Sequence, residues 1–169
     1  MQFDVIQGDI AAQKADALVN AAGTSLRMGS GVAGALRQAA GDELNEAAIA
    51  AGPVELGAAA VTDAFALDAE YVIHAAAMPH YGDGKATERS IRVATRNALV
   101  AAEEHDCASV VVPVLGTGVA GFAFEEGARF VCEEIAAFDA DGLSDVRVIA
   151  YGDDSFETLT RVADELRPA

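Results

Sequence analysis

The length, composition and charge of this chain limit what it can be. With 169 residues, of which 52% are hydrophobic, it is long enough to bury a core and is expected to form one domain. Its formal net charge of −16 at pH 7 disfavours binding to nucleic acid and to anionic membranes at ordinary ionic strength. No apolar run is long enough to span a membrane, and the first residues (MQFDVIQGDI) do not resemble a secretory signal, so we expect a cytoplasmic protein.

The excess of acidic residues also predicts a salt-rich cytoplasm, as in a halophilic organism. Asp and Glu number 27 against 11 Lys and Arg, and Lys14 and Lys85 are the only lysines. At about 1 M salt the Debye length falls to about 3 Å, so long-range attraction cannot hold an anionic ligand. We therefore expect any anion site to be built from backbone N–H groups of a loop rather than from a basic patch.

Predicted strands and helices alternate along the chain. The β-branched run of residues 109–115 predicts a buried central strand, and the spacing of Ile91, Ala94 and Leu99 predicts an amphipathic helix. The predicted strands cover residues 1–7, 16–21, 58–64, 71–76, 109–115 and 146–151, and the predicted helices cover residues 32–40, 42–51, 86–105, 124–137 and 154–167. This order predicts an α/β fold with helices on both faces of a largely parallel sheet.

Two glycine-rich loops each follow a predicted strand and precede a predicted helix. The first reads Gly29-Ser-Gly-Val-Ala-Gly34 and the second reads Gly116-Thr-Gly-Val-Ala-Gly121. Glycine lets the backbone approach a ligand closely, and the start of a helix offers free N–H groups and the positive end of its dipole to a phosphate. We predict that the two loops face each other across one nucleotide pyrophosphate.

A dinucleotide-binding Rossmann domain is the first alternative for these loops. That fold needs a tight strand–turn–helix near the N-terminus and an acidic residue about 20 residues further on. The first loop is separated from its strand by residues 22–28, and the second leaves too little chain for a nicotinamide-binding half. The spacing therefore disfavours this alternative.

The motifs, taken in order, resemble those of macro domains, which are ADP-ribose-binding modules. The resemblance begins with Gly8-Asp-Ile10, Val19-Asn-Ala-Ala22 and Gly29-Ser-Gly-Val-Ala-Gly-Ala-Leu36. It continues with Val72-Ile-His-Ala75, the loop of residues 113–122 and Tyr151-Gly-Asp-Asp154, so it spans nearly the whole chain. It implies a three-layer α/β/α fold around a mixed, mostly parallel sheet, and ADP-ribose as the ligand without a further cofactor.

The resemblance also implies roles for individual residues. Asp9 would accept a hydrogen bond from the adenine amine, the Ile10 N–H would reach a ring nitrogen, and Tyr151 would stack on adenine. Asn20 would help fix the loop near the distal ribose. The full set of predicted ligand-binding residues is Asp9, Ile10, Asn20, Gly29, Ser30, Gly31, Val32, Gly116, Thr117, Gly118, Val119, Ala120, Gly121, Phe122 and Tyr151. The structural alternatives are a turn aspartate at Asp9, a core tyrosine at Tyr151 and a purely structural asparagine at Asn20.

Departures from the family pattern bear on whether the protein is an enzyme. Macro domains that hydrolyse ADP-ribosyl bonds usually read N-A-A-N, and this chain has Gly23 at the second asparagine. MacroD-type hydrolases carry an aspartate where this chain has Ala33, and the aromatic that covers the distal ribose is replaced by Ala120, with Phe122 as a substitute nearby. Because one lost transition-state hydrogen bond costs about 10²–10³ in rate, we predict binding of ADP-ribose rather than efficient hydrolysis.

Two alternatives to ADP-ribose binding stay open at this stage. The first is slow hydrolysis of mono-ADP-ribosylated protein, O-acetyl-ADP-ribose or ADP-ribose 1''-phosphate, and the second is binding of RNA or poly(ADP-ribose), which the net charge disfavours. Among the remaining polar residues, His80 lies in the loop of residues 78–85 and could approach a ligand. His74 is expected in the core, Cys107 and Cys132 are expected to be buried reduced thiols, and no spacing indicates a metal site. The expected partner is an ADP-ribosylated protein.

Overall fold

The computed structural model describes residues 1–80 and 83–167, and the side chain of Val119 lies outside this description. The strands are β1 (Asp4–Gln7), β2 (Ala17–Gly23), β3 (Ala59–Asp63), β4 (Tyr71–Met78), β5 (Ser109–Pro113) and β6 (Asp145–Ala150). The helices are α1 (Gly31–Ala40), α2 (Asp42–Ala51), α3 (Glu88–Glu104), α4 (Phe124–Ala137) and α5 (Asp153–Leu166). No helix in these described residues is long and apolar enough to cross a membrane.

The six strands form one mixed sheet in the order β1-β6-β5-β2-β4-β3. The pairs β1–β6, β6–β5, β5–β2 and β2–β4 are parallel, whereas the edge strand β3 runs antiparallel to β4. Helix α3 connects β4 with β5 and helix α4 connects β5 with β6, as crossing from one end of the sheet to the other requires. The predicted mixed, mostly parallel sheet is confirmed.

Each face of the sheet packs against its own set of helices. Side chains of α3, α4 and α5 form one apolar cluster with Val19, Val112 and Val148, and those of α1 and α2 form the other with Leu18 and Val111. Neighbouring residues of a strand point to opposite faces, so a near-continuous apolar run serves both clusters. The arrangement is the predicted three-layer α/β/α fold.

Several predicted boundaries need correction. The first strand begins at Asp4 rather than Met1, and β5 ends at Pro113, because the chain leaves the sheet there for the second glycine loop. β4 continues to Met78, two residues beyond the prediction. Part of the predicted loop of residues 78–85, and Pro168 after the last helix, lie outside the described residues.

The topology brings the predicted site loops together. The parallel strands β1, β2, β4, β5 and β6 all end at the same edge of the sheet. The loop at Gly8 follows β1, the two glycine loops follow β2 and β5, and Tyr151 follows β6. In open α/β sheets ligands bind outside the carboxyl ends of the strands, and this edge is therefore where a site is sought.

Candidate functional site

Two pockets lie at this edge, on either side of the start of α1. The first pocket has a volume of about 480 Å³ and is lined by Gly8, Asp9, Ile10, Gly31, Val32, Ala35, Pro113, Ile149 and Tyr151. The second pocket has a volume of about 450 Å³ and is lined by Ala21, Gly23, Ser25, Arg27, Met28, Gly29, Ser30, Ala33, Arg37, Asn45, Ile49, Met78 and His80. Between them, the pockets include six of the predicted ligand-binding residues on the loops after β1 and β2, together with Tyr151. The described side chains of the second glycine loop line neither pocket.

Asp9 accepts a backbone hydrogen bond and also faces the first pocket. It is the N-cap of a short 3₁₀ turn, where its Oδ1 accepts a hydrogen bond from the Ala11 N–H at 2.9 Å. The side chain is otherwise exposed at the pocket wall. The next residue, Ile10, is buried and packs beneath α1. Asp9 is thus a turn aspartate, and it still presents a carboxylate to a ligand.

Tyr151 lies across the first pocket from Asp9. Its side chain is 79% exposed, which rules out a core tyrosine. Its position follows from β6, whose last residue is Ala150, and from Gln7, whose Nε2 donates to the Tyr151 carbonyl at 3.4 Å and to Asp153 Oδ1 at 2.7 Å. An exposed ring at the rim of a pocket, on a backbone held by Gln7, suits stacking on a planar base.

The start of α1 has free donors. Ser30 occupies the N-cap position without a side-chain cap hydrogen bond, and the first helical residue, Gly31, has φ +63° with open space where a Cβ would point. The loop before it is fixed from behind, because Met28 N–H donates to Asn45 Oδ1 at 2.9 Å and Arg37 Nη1 donates to the Met28 carbonyl at 3.0 Å. A loop held in this way, with free N–H groups at the start of a helix, suits an anion.

The second glycine loop folds into a 3₁₀ turn, Gly118–Ala120. The Phe122 N–H donates to the Gly116 carbonyl at 3.2 Å, and the Ala86 N–H donates to the Ala120 carbonyl at 2.9 Å. The two glycines are required for different reasons. A Cβ at Gly116 would collide with Ile91, whereas Gly118, with φ +66°, faces open space. Gly116 is therefore needed for packing, and glycine at position 118 is favoured by its positive φ rather than by a close neighbour.

Phe122 packs on α4 rather than standing free. Its ring meets Phe130 edge to face, with the ring centroids 5.4 Å apart, and its side chain is half-buried against the larger apolar cluster. Ala120 is buried. This geometry gives Phe122 a structural role, and its contact with a ligand stays a prediction.

Gly23 lies directly under the loop that follows β4. A Cβ at this position would stand 3.0 Å from the Pro79 carbonyl oxygen and 3.5 Å from His80 Cα. The His80 N–H donates to Thr24 Oγ1 at 3.0 Å, and His80 Nδ1 lies 2.8 Å from Ser25 Oγ. The loops after β2 and β4 are therefore joined over Gly23.

Asn20 lies below the second pocket rather than in it. It is 1% exposed, and its Nδ2 lies 3.0 Å from His74 Nδ1, while His74 Nε2 lies 2.9 Å from Thr62 Oγ1. Thr62 Oγ1 donates to the Asp63 carbonyl, so it accepts from His74 Nε2–H, and Asn20 donates to Nδ1. This network joins β2, β4 and β3, and burial lowers the pKa of His74 from 6.5 to about 4.

The cysteines and the acidic residues build no further centre. Cys107 and Cys132 are buried free thiols, as predicted, and burial raises their pKa to about 11 and about 12, which leaves them unreactive. Within residues 1–80 and 83–167 no group of three or more His, Cys, Asp or Glu side chains could hold a metal ion.

Sequence reasoning missed much of the second pocket. Ser25, Arg27 and Arg37 carried no motif, and His80 was singled out only as a residue that could approach a ligand. The signal that was available is charge: Arg27 and Arg37 flank the first glycine loop in a chain with net charge −16, and the structure places both in one pocket.

Comparisons with known proteins identify the family of this chain. The model of the Macro domain family matches residues 19–131. A protein of Sulfolobus acidocaldarius is 36% identical over 162 residues, covering 93% of this chain and 87% of its own, and a macro domain-containing protein of Chlorobaculum tepidum is 34% identical over 150 residues, covering 88% of this chain and 87% of its own.

Solved structures show the same fold. A point mutant of the Oceanobacillus iheyensis macrodomain with ADPR has a TM-score of 0.87 at 26% identity and covers 96% of this chain and 91% of its own. The Trypanosoma brucei macrodomain in complex with ADP-ribose has a TM-score of 0.82 at 24% identity and covers 93% and 67%, a likeness of fold alone. On the family model and the relatives, this chain belongs to the macro domain family.

Proposed function

We propose that this macro domain binds ADP-ribose, or a terminal ADP-ribosyl group on a protein, across the two pockets. The observation that carries the proposal is the pair of pockets that flank the first turn of α1. Asp9 and Tyr151 line the pocket at one end, and Ser25, Arg27 and His80 are among the residues that line the pocket at the other. A nucleotide with a group on each side of a pyrophosphate fits this order. The related Oceanobacillus iheyensis macrodomain with ADPR supports the choice of ligand.

The first pocket would hold adenine. Asp9 has carboxylate capacity beyond its one bond to Ala11 N–H, and a carboxylate accepts from an exocyclic amine but not from a ring carbonyl. Tyr151 offers an exposed ring for stacking, and base–aromatic stacking contributes about 1–3 kcal/mol. Val32 and Ile149 complete an apolar wall.

The pyrophosphate would lie between the two glycine loops. The uncapped first turn of α1 offers N–H groups and the positive end of the helix dipole. Gly31 and Gly118 both have positive φ and face open space, so the backbone on each side allows close approach. Binding through backbone donors also explains how an anion is held by a chain with net charge −16, since short-range hydrogen bonds survive screening by salt.

The second pocket favours binding over hydrolysis. Gly23 and Ala33 both line it, and neither side chain can orient a water or a ribose hydroxyl. We therefore place binding ahead of turnover of ADP-ribosylated protein or ADP-ribose 1''-phosphate. We further propose that residues 1–169 form one domain and that the protein works in a salt-rich cytoplasm. Its partner would be an ADP-ribosylated protein, and it would need no cofactor.

Calorimetry with ADP-ribose tests the proposal, using the native protein, Asp9→Asn and Asp4→Asn at low and high salt. Asparagine keeps the N-cap bond to Ala11, but its amide nitrogen cannot accept from an amine, so affinity should fall about tenfold, or about 1.4 kcal/mol. Asp4 lies at the other end of β1, so Asp4→Asn should leave the affinity for ADP-ribose unchanged. Absence of binding by the native protein, or equal affinity in Asp9→Asn, would contradict the proposal.

A further inference from the structure

The loop after β4 occupies the space above residue 23, where the family pattern places an asparagine. The last pair between β2 and β4 is Gly23 with Met78, after an irregularity in register. Beyond it, the Pro79 carbonyl oxygen would be only 3.0 Å from a Cβ at position 23, a distance that ordinary side chains rarely show. Glycine at this position is thus the condition that lets the loop cross so closely.

This path places His80 in the second pocket and holds it there. The His80 N–H donates to Thr24 Oγ1 at 3.0 Å, which fixes the backbone. The ring is fixed through Nδ1, which lies 2.8 Å from Ser25 Oγ. Ser25 Oγ in turn accepts from the Arg27 N–H at 3.3 Å, which leaves its own hydrogen available for donation to His80 Nδ1.

The hydrogen bonds of Ser25 leave one polar group of His80 for a ligand. When Nδ1 accepts from Ser25, the neutral ring carries its hydrogen on Nε2, which becomes a donor. Ser25 and His80 line the second pocket together with Gly29 and Ser30, which precede α1. A sugar that extends from a pyrophosphate at the start of α1 would enter this pocket.

We propose that His80, positioned by Ser25, is the residue that recognises the hydroxyls of the distal ribose in this protein, replacing the asparagine that Gly23 removes. This inference rests on the proposed function. A side chain whose rotamer is already fixed loses little entropy on binding, and a ring N–H matches a hydroxyl oxygen as acceptor. On this proposal, the His80 ring takes the place of the asparagine side chain that Gly23 lacks, so the polar contact to the ribose is replaced rather than lost.

The test compares affinity for ADP-ribose with affinity for ADP, which lacks the distal ribose. The ratio of the two dissociation constants measures what the second pocket contributes, and ADP alone reports on the first pocket and the phosphate loops. We expect ADP-ribose to bind the native protein about tenfold more tightly than ADP. His80→Ala and His80→Phe should each reduce the ratio to about one or two, with ADP affinity unchanged.

Two further variants separate recognition from loop support. His80→Gln keeps a donor and should retain part of the ratio, whereas Ser25→Ala frees the ring and should lose part of it. His105→Ala is the matched control, because His105 likewise makes one ring hydrogen bond, to the Ala101 carbonyl, but lies at the end of α3. It should leave the ratio unchanged.

The outcomes separate the two proposals. If the native protein binds ADP but shows no preference for ADP-ribose, or if the preference survives in both His80→Ala and His80→Phe, the inference is overturned and the first-pocket account stands. If ADP affinity falls together with the ratio in those variants, His80 is a loop support and the inference is also overturned. If the native protein binds neither nucleotide, the proposed function itself fails.

Discussion

The two pockets of this macro domain are built in different ways. In the first pocket, Asp9 and Tyr151 stand just beyond the ends of two neighbouring strands, β1 and β6, so the sheet itself sets their positions. In the second, Ser25 and His80 belong to loops and are held by hydrogen bonds between side chains and backbone. A pocket made by strand ends is determined by the fold, whereas a pocket made by joined loops depends on a few side chains.

The pockets also differ in charge. Asp9 faces the first pocket, whereas Arg27 and Arg37 line the second. Arg37 is occupied by the Met28 carbonyl and by an ion pair with Asp42 at 3.1 Å, so it supports the loop. We expect changes in the first pocket to alter affinity for both ADP and ADP-ribose, and changes in the second to alter only the preference between them, and the following predictions test this difference.

The largest effect is expected from acid, through His74. The His74 network joins β2 and β4, the strands that lead to the second pocket. Because burial lowers its pKa from 6.5 to about 4, the unfolded chain takes up a proton first, and stability present above pH 6.5 is lost as the pH falls towards 4. This loss should be about 3 kcal/mol.

Urea unfolding at pH 7 and pH 4 measures that loss. His74→Gln removes the titration, so its stability should fall by about 3 kcal/mol less than that of the native protein over the same interval. The carboxylates titrate in both proteins and cancel in the comparison. Equal losses in the two proteins would show that His74 does not stay neutral in the fold.

The next effect concerns the shared wall between the pockets. Gly31→Ala places a methyl group in the open space at the start of α1, where a phosphate would approach, and should weaken ADP-ribose binding about thirtyfold, or about 2 kcal/mol. Gly41→Ala is the matched control, because Gly41 also has positive φ and open space but lies at the end of α1. Both should lose about 1–2 kcal/mol of stability, and affinity should fall only in Gly31→Ala.

The first pocket should show a smaller effect at Tyr151. Tyr151→Ala removes an exposed ring, so stability should be unchanged while affinity for ADP and for ADP-ribose falls about tenfold, in the range that base stacking contributes. Tyr151→Phe keeps the ring and should bind as the native protein does. Calorimetry with both nucleotides measures these affinities. A loss of ADP-ribose binding without a loss of ADP binding would mean that Tyr151 contacts the distal ribose rather than adenine.

The smallest effect is expected at Gly23. Because the Pro79 carbonyl and His80 cover this residue, Gly23→Asn cannot simply restore the family's asparagine and should instead displace His80. We expect the preference for ADP-ribose over ADP to fall about threefold, with a smaller fall in Gly23→Ala. A rise in preference, or a gain of hydrolysis in a turnover assay, would mean that the loop yields easily and that the asparagine alone was missing.

The fold could be predicted from the sequence because local patterns and packing agree. The apolar run of β5 and the spacing of Ile91, Ala94 and Leu99 in α3 each indicate one element, and alternation of strands with helices sets the layers. The boundary at Pro113 could not be predicted, since valine and leucine continue beyond it and only the turn towards Gly116 ends the strand.

Only part of the candidate site could be predicted from the sequence. Asp9, Tyr151 and the glycines lie in short motifs, so their grouping follows once the strand order is known. The contact between Ser25 and His80 joins residues 55 positions apart, and no local sequence pattern predicts it. Gly23 shows the consequence, because its sequence position indicates a missing group, whereas its surroundings show that the Pro79–His80 backbone fills the space.

A crystal structure of the protein with ADP-ribose would show which part of the ligand each pocket holds. We predict adenine between Asp9 and Tyr151, the pyrophosphate against the first turn of α1, and the distal ribose in the second pocket within hydrogen-bond distance of His80 Nε2. A ligand that leaves the second pocket unused, or a ribose held only by the second glycine loop, would contradict it.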